Sequence, residues 1–377
     1  MKVKFGEIVL DTKAKVDRND NPYDYYVAGD HMDSEDLEIH RRGCFATDDV
    51  GPAFIRLFHA GQVLYGSRRT YLKKIAVADF DGVTANTTFV FETKDPNVLA
   101  QELLPFIMLS NKFTEYSILK SKGSTNPYVL FSDLADYEFE LPDIEKQREL
   151  ADLLWSMEYS KRAYRKMIEA TDELVKSQFI EMFGSEKNKA LLRDLSDMVT
   201  VGIANAATHA YADNGVLMFR NQNIKANGLD DSDLVYIMPE FAKRYASKTL
   251  KANDILVART GYPGTACIVP EKYAGAQTFT TLIVRIKQNP DLLPAFVCNY
   301  INSAPGQEYV KQNEGGSAQV NFGASALSRM PIILPPVELQ KKYLAFAEQS
   351  DKSKFELQKS LAELTAMQKK IIEQNLT

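Results

Sequence analysis

The chain has 377 residues, 45% of them hydrophobic and 25% charged, with a net charge of −5. That length suits two or three domains with real cores, and the mild acidity does not advertise a nucleic-acid binder, although surface distribution matters more than the sum. The cysteines Cys44, Cys267 and Cys298 lie too far apart for a metal site or a disulfide framework, residues 1–7 lack an apolar signal region, and no run approaches membrane-spanning length. The expectation is a soluble cytoplasmic protein with no membrane partner.

Residues 1–142 read as a mixed α+β domain, with short strands predicted over 6–10, 53–57, 63–65, 75–77 and 88–91 and a helix over 99–110. A helix is then predicted over 143–184. Pro142 suits its first turn and Asp143 and Glu145 suit the positive end of its dipole. No Pro or Gly interrupts it, and Leu150, Leu154, Met157, Tyr164, Ile168, Thr171, Val175 and Met182 form a narrow apolar seam that Gly184 closes as a C-cap. About 40 residues at ~1.5 Å each make a rod of roughly 60 Å, too long and too thinly apolar for an ordinary core helix. Residues 185–335 repeat the first domain, with strands predicted over 217–219, 255–257, 266–269 and 282–284 and a helix opened by Pro294 through Asn302. A second rod over 336–377 carries its own seam at Tyr343, Ala347, Ser350, Leu357, Leu361, Leu364 and Ile371.

The two halves are in register. Gln147 matches Gln340, Lys161 matches Lys354 and Leu134 matches Leu327, all at an offset of 193, while residues 59–64 match 251–256 at 192. This period far exceeds that of a solenoid, so one domain-plus-rod unit occurs twice. If the seams pack together, the second rod runs back antiparallel to the first, giving a pseudo-two-fold particle with the globules at opposite ends. Lys161 and Lys354 fall in that seam. Buried together they would repel, so they are expected to snorkel outward or face a partner.

Several residues carry a family resemblance. They are the Leu334-Pro335-Pro336-Val337-Glu338-Leu339-Gln340 entry to the second rod and the runs Phe219-Arg220-Asn221-Gln222-Asn223-Ile224 and Asp254-Ile255-Leu256-Val257-Ala258-Arg259-Thr260-Gly261. Pro294-Ala295-Phe296-Val297 followed by Gly315-Gly316-Ser317 adds to them. With these the chain resembles the specificity (S) subunits of type I DNA restriction–modification enzymes. Leu339 stands where that family more often has Glu, and Leu64-Tyr65-Gly66-Ser67-Arg68 only loosely echoes the Arg-Thr-Gly motif. The resemblance implies two target-recognition domains, each reading one half of a split site in double-stranded DNA. It also implies rods that set the gap and dock two methyltransferase (M) subunits, with motor-nuclease (R) subunits joining for cleavage. No cofactor is implied on this chain. S-adenosylmethionine for adenine N6 methylation would sit on the M subunit, and ATP and Mg on the R subunit.

Base reading needs bidentate groups, Arg for guanine and Asn or Gln for adenine. Arg220, Asn221, Gln222 and Asn223 supply them densely, and Arg259, Thr260 and Tyr262 follow a strand, where a phosphate could lie. In the first domain, Arg68, Arg69, Lys73 and Lys74 form the densest basic cluster; a solvated hairpin tip is the bland alternative. Thr125 and Asn126 in one half, and Ser317, Gln319 and Asn321 in the other, precede the rods with small polar side chains suited to close approach or to a plain loop. Tyr25, Tyr26 and Tyr71 offer stacking surfaces, though aromatics in such domains are mostly core. Thr125-Asn126-Pro127-Tyr128 lacks the second Pro of an amino-methyltransferase motif, the four histidines are scattered, and no phosphate-cradling Gly-Lys-Ser/Thr loop occurs. The competing reading is a bivalent scaffold holding two protein or carbohydrate ligands at fixed spacing. A lone DNA-modifying enzyme is disfavoured by the missing catalytic motifs.

Overall fold

The long helix read from the sequence runs over Ile144–Phe183 in the computed structural model. Asp143 caps it, its carbonyl accepting from Gln147 N–H and its carboxylate from Lys146 N–H, both at 2.9 Å. Pro142 therefore precedes the cap rather than filling the first turn. Gly184 does follow the last helical residue, but not in the left-handed conformation of a C-cap glycine. A Cβ there would lie 2.6 Å from the Ile180 carbonyl oxygen, so close backbone approach is what demands glycine. The second long helix covers Val337–Asn375.

The structure describes residues 1–17, 20–204, 209–315 and 320–376. They form two units whose boundaries fall inside both long helices, Met1–Lys166 with Leu357–Thr377 and Met167–Glu356. Each helix thus gives a segment to the core of each unit, and is more than a connector.

In the first unit an antiparallel sheet runs in the order Val9–Asp11, Thr88–Thr93, Val63–Gly66, Ile75–Val77. A second sheet, in the order Gly43–Cys44, Tyr25–Val27, Gly82–Ala85, Phe54–Phe58, has a parallel pair at its centre. The expected strand over 6–10 begins instead as a one-turn helix, Phe5–Ile8, before Val9 starts the strand. Gly6 permits this, because a Cβ there would sit 2.4 Å from the Ala135 Cβ. The expected helix over 99–110 is a 3-10 turn (Gln101–Leu103) and a short helix (Leu104–Leu109), followed by a further helix, Asn111–Lys120. Ser110 ends the first helix and caps the second, accepting from Phe113 N–H at 3.3 Å. Helices and first sheet share one core with Phe5, Phe91, Phe106 and Phe113 fully buried, and Leu150, Leu154, Met157 and Ile372 of the long helices, with Leu376 just past the second, complete it.

The second unit repeats this plan. Its antiparallel sheet runs Ser196–Val201, Leu282–Ile286, Ile255–Val257, Ala266–Ile268, and Pro294–Asn302 and Ala304–Gln312 are the covering helices. The second sheet (Tyr211–Ala212, Val235–Ile237, Val216–Phe219, Gln277–Thr278) again holds one parallel pair. The offset survives at the level of single hydrogen bonds. Tyr116 donates its hydroxyl to the Asp133 carbonyl at 3.1 Å and Tyr309 to that of Ala326 at 3.0 Å, 193 positions on. The link from Gln62 to Glu92 at 2.7 Å becomes an ion pair between Asp254 and Arg285 at 2.6 Å.

Within each unit the two helix segments lie antiparallel. Lys161 meets Gln368 in the first unit, and Lys354 meets Asp172 in the second. Phe179, beyond the expected seam positions, is 3% exposed and stacks its edge on Tyr343. The two seam lysines resolve their burial differently. Lys161, 3% exposed, does not snorkel; Glu158 at 2.8 Å and Gln368 at 3.0 Å hold its ammonium inside. Lys354 is partly exposed and takes both oxygens of Asp172, at 2.6 and 2.7 Å.

Each long helix is fastened to the unit before it by one glutamine. Gln147, 1% exposed, accepts from Ala100 N–H at 3.0 Å and donates to the carbonyls of Val98 and Pro142, both at 2.9 Å. Gln340, fully buried, accepts from Leu293 N–H at 3.0 Å and donates to Asp291 and Pro335 at 2.8 Å. All four positions correspond at 193. Gln147→Ala or Gln340→Ala strands one buried N–H and two carbonyls, and each is expected to cost about 2–3 kcal/mol. Urea unfolding of the purified chain should show this as a lower midpoint, and midpoints unchanged in both variants would contradict the clamp.

Candidate nucleic-acid interface

In the second unit three separate stretches named from the sequence meet at the end of strand Ile255–Val257. Asn221, in the 3-10 turn Asn221–Asn223, is their hub. Its Oδ1 accepts from Arg259 N–H at 3.0 Å, and its Nδ2 donates to Thr260 Oγ1 at 3.0 Å and Thr280 Oγ1 at 2.8 Å. Arg259 donates from Nε to Asn321 Oδ1 at 2.7 Å, and its carbonyl accepts from Phe322 N–H at 2.9 Å. With Asn321 holding Nε, the terminal nitrogens of Arg259 are left with no carboxylate within ion-pair distance among the described residues. Beyond it the chain turns through Gly261 and Gly264, at φ +81° and +82°, where a side chain would be strained. That turn carries Tyr262, 85% exposed. An unpaired guanidinium beside a bare aromatic ring, both on a loop braced from beneath, is the geometry of a surface that meets a partner.

The neighbouring residues play other parts. Asn223, 2% exposed, accepts from Arg220 N–H at 2.9 Å and donates to the Asp230 and Asp233 carbonyls at 3.0 Å, so it builds the turn and is not available to a base. Arg220 and Gln222 reach outward, and both donate to Asp233 Oδ2, at 2.6 and 2.7 Å. Arg220 Nε is buried without a partner among the described residues. Ser317 and Gln319 lie outside the described residues.

The first unit places its candidates at the equivalent edge. Arg68 and Arg69 follow strand Val63–Gly66, are exposed, and have no ion-pair partner among the described residues. Arg68 bridges Tyr128, and Arg69 N–H donates to the Pro127 carbonyl at 2.7 Å. This tethers the exposed loop carrying Thr125 and Asn126, itself closed by a bridge between Lys122 and Tyr128 that recurs as Gly315 with Asn321. Arg69 has φ +50°, an uncommon conformation for a side chain of its size and one that collects at functional loops. Exposed Tyr71 stands beside it.

The basic cluster read from the sequence is smaller in three dimensions. Lys73 is 9% exposed, and its ammonium is held by Glu35 at 3.1 Å, Asn111 at 3.1 Å and the Leu109 carbonyl at 3.3 Å, so it faces inward. Burial pushes Glu35 up, but Lys73 and Lys369 outweigh it and hold its carboxyl below the ordinary range. Lys74, half-buried, donates to the Gly29 carbonyl. Tyr25 is covered by Arg42 at 3.8 Å and Tyr26 packs on Phe45 and Phe54, leaving Tyr71 as the exposed ring of the three. Asp233 was missed by the sequence reading, since its partners stand 11 and 13 positions away.

Among the described residues no group of His, Cys, Asp and Glu could hold a metal ion, and no helix is long and apolar enough to cross a membrane. What recurs in both units is a braced loop after the equivalent strand that presents arginine with no carboxylate partner among the described residues. The chain belongs to the type I restriction modification DNA specificity domain family, which matches residues 13–169 and 187–366. The specificity subunit of the type I restriction enzyme HindI from Haemophilus influenzae is 24% identical over 135 residues, 34% of this chain and 29% of that protein. That of EcoDI from Escherichia coli is 25% identical over 131 residues, 35% of this chain and 28% of that protein. The matched stretch thus spans under a third of either relative. A solved structure concerned with complex assembly and conformational transition of the type I R-M system superposes with TM-score 0.59 at 18% identity, covering 100% of this chain and 97% of the other. The type I restriction-modification S subunit from M. genitalium does so with TM-score 0.57 at 13% identity, covering 100% and 95%. At these identities the likeness establishes the fold.

Proposed function

We propose that the chain is the DNA-recognition subunit of a type I restriction–modification complex. Each unit would read one half of an asymmetric bipartite site, while the long helices set the unread gap and dock two M subunits. The observation that carries this reading is the repeated loop edge, with Arg259 braced by Asn221 and Asn321 in one unit and exposed Arg68 and Arg69 at the matching strand end in the other. A cation fixed at Nε, as Arg259 is, with no carboxylate partner among the described residues suits phosphate and guanine contacts, which lose affinity if the side chain must first be ordered. The net charge of −5 is compatible with this, because acidic groups elsewhere are spent in local pairs such as Asp254 with Arg285 and Glu35 with Lys73. The edges differ in their residues, so the two half-sites should differ as well.

On this reading the bond-making chemistry belongs to partners. S-adenosylmethionine would be used by the M subunits, and ATP and Mg by R subunits, in the cytoplasm. This chain supplies recognition and geometry. The family membership favours it over a scaffold for protein or carbohydrate ligands.

In the complex with its M subunits, Arg259→Ala should weaken cognate DNA binding by about ten- to a hundred-fold while M-subunit docking persists. Fluorescence anisotropy on labelled duplexes and co-purification read the two effects, and unchanged affinity would remove Arg259 from the interface. Inserting one heptad into each long helix should lengthen the tolerated gap between half-sites by about three base pairs, from roughly 1.5 Å per residue against ~3.4 Å per base pair. Binding to a series of duplexes of graded gap length checks this, and an unchanged optimum would count against the helices as spacers.

A further inference from the structure

Arg220, Gln222 and Asp233 form a compact polar set whose carboxylate takes no part in the bracing contacts. Arg220 and Gln222 both donate to one oxygen, Asp233 Oδ2, at 2.6 and 2.7 Å, and the Asp233 carbonyl anchors the turn through Arg220 at 3.2 Å and Asn223 at 3.0 Å. The carboxylate is well exposed, at 64%, while the Arg220 side chain is 26% exposed. Asp233 Oδ1, one terminal nitrogen of Arg220 and Gln222 Oε1 have no partner among the described residues, which leaves a donor and acceptors open at the surface. Half-exposed Tyr211 and Tyr236 line the shallow hollow beside Arg220 together with Leu234 and Val235.

We infer that this trio is a base-pair reader and that the pair it takes is C·G. The inference rests on the DNA-recognition reading given above. Across its major-groove edge a C·G pair presents an amino donor from cytosine N4 next to the acceptors O6 and N7 of guanine. A fixed arginine donor beside a free carboxylate oxygen is the complement of that row. An A·T pair also sets an acceptor beside a donor, adenine N7 next to N6–H, but it gives the arginine one acceptor there where guanine gives the adjacent O6 and N7, so C·G is the fuller match. Asp233 does two jobs: it orients Arg220, lowering the entropy lost on contact, and it accepts from cytosine N4 with its second oxygen. It also repels phosphate, so the trio adds little to non-specific affinity. Asp233 is thus a positioning and specificity residue.

The test uses the complex of the full chain with its M subunits and the duplex whose motif the wild-type complex methylates. Competition binding compares that duplex with variants carrying each single base-pair change in the half-site of the second unit. Asp233→Asn keeps size and backbone contacts, and Arg220→Ala removes the donor from the other side. Both should lower discrimination at one and the same C·G position by about ten- to a hundred-fold, with the other half-site read as before. Full discrimination retained at every position by both variants overturns the inference. So does weakening spread evenly over all sequences, which marks a phosphate contact, or tightening to all sequences by Asp233→Asn, which marks a mere electrostatic guard. A wild-type complex that selects no motif overturns instead the DNA-recognition reading beneath it.

Discussion

The architecture depends on a buried side-chain amide used twice. Gln147 and Gln340 each satisfy one N–H and two carbonyls at the point where the chain leaves a unit and enters a long helix. A buried backbone group without a partner is costly, so the loop holding residues 98–100 and the proline ahead of the helix can be buried together only if such an amide is present. No aliphatic residue could replace it, and a carboxylate could not donate. The clamp fixes the direction in which each helix departs, and with it the faces that Leu150 and Leu154, or Tyr343 and Ala347, present to their cores.

Because both helices give segments to both cores, the helix pair belongs to the folded units themselves. The antiparallel contacts are specific in each unit by different means. In the first, a buried lysine is neutralised by Glu158 and fixed by Gln368; in the second, an aromatic cluster of Phe179, Phe183, Phe296 and Tyr343 fills the seam and Lys354 is paired near the surface. A buried lysine tolerates little sliding: Glu158 moves with it on the same helix, but a shift of one turn would take its ammonium from Gln368. For a recognition subunit whose helices set a gap, such fixed register would be a functional property.

Much of this was legible in the sequence because its carriers are periodic or local. The offset of 193, the long helices and strands such as Ile255–Val257 and helix Pro294–Asn302 follow from patterns within a few residues. Of the second sheets only one strand each showed, over 53–57 and 217–219, because strands as short as Tyr25–Val27 are defined by non-local partners, here Gly82–Ala85 in parallel. Of the candidate interface, the meeting of residues 220–223, 259–262 and 321 could be suspected from composition alone. The division of labour inside it could not. Arg69 and Lys73, four positions apart, look alike in sequence and both take a left-handed backbone, yet the turn between them aims one outward and the other into the Glu35 pocket. The same limit hid Asp233, which matters only because the fold brings it to Arg220.

The central claim, that each unit reads its own half of one DNA site, is tested most directly by co-expressing the chain with its methyltransferase partner and mapping N6-methyladenine across the host genome. The account predicts a single asymmetric motif in two parts, separated by an unread gap of constant length. A contiguous or palindromic motif would contradict the two-unit reading, and the absence of new methylation from a verified, soluble complex would contradict DNA recognition itself.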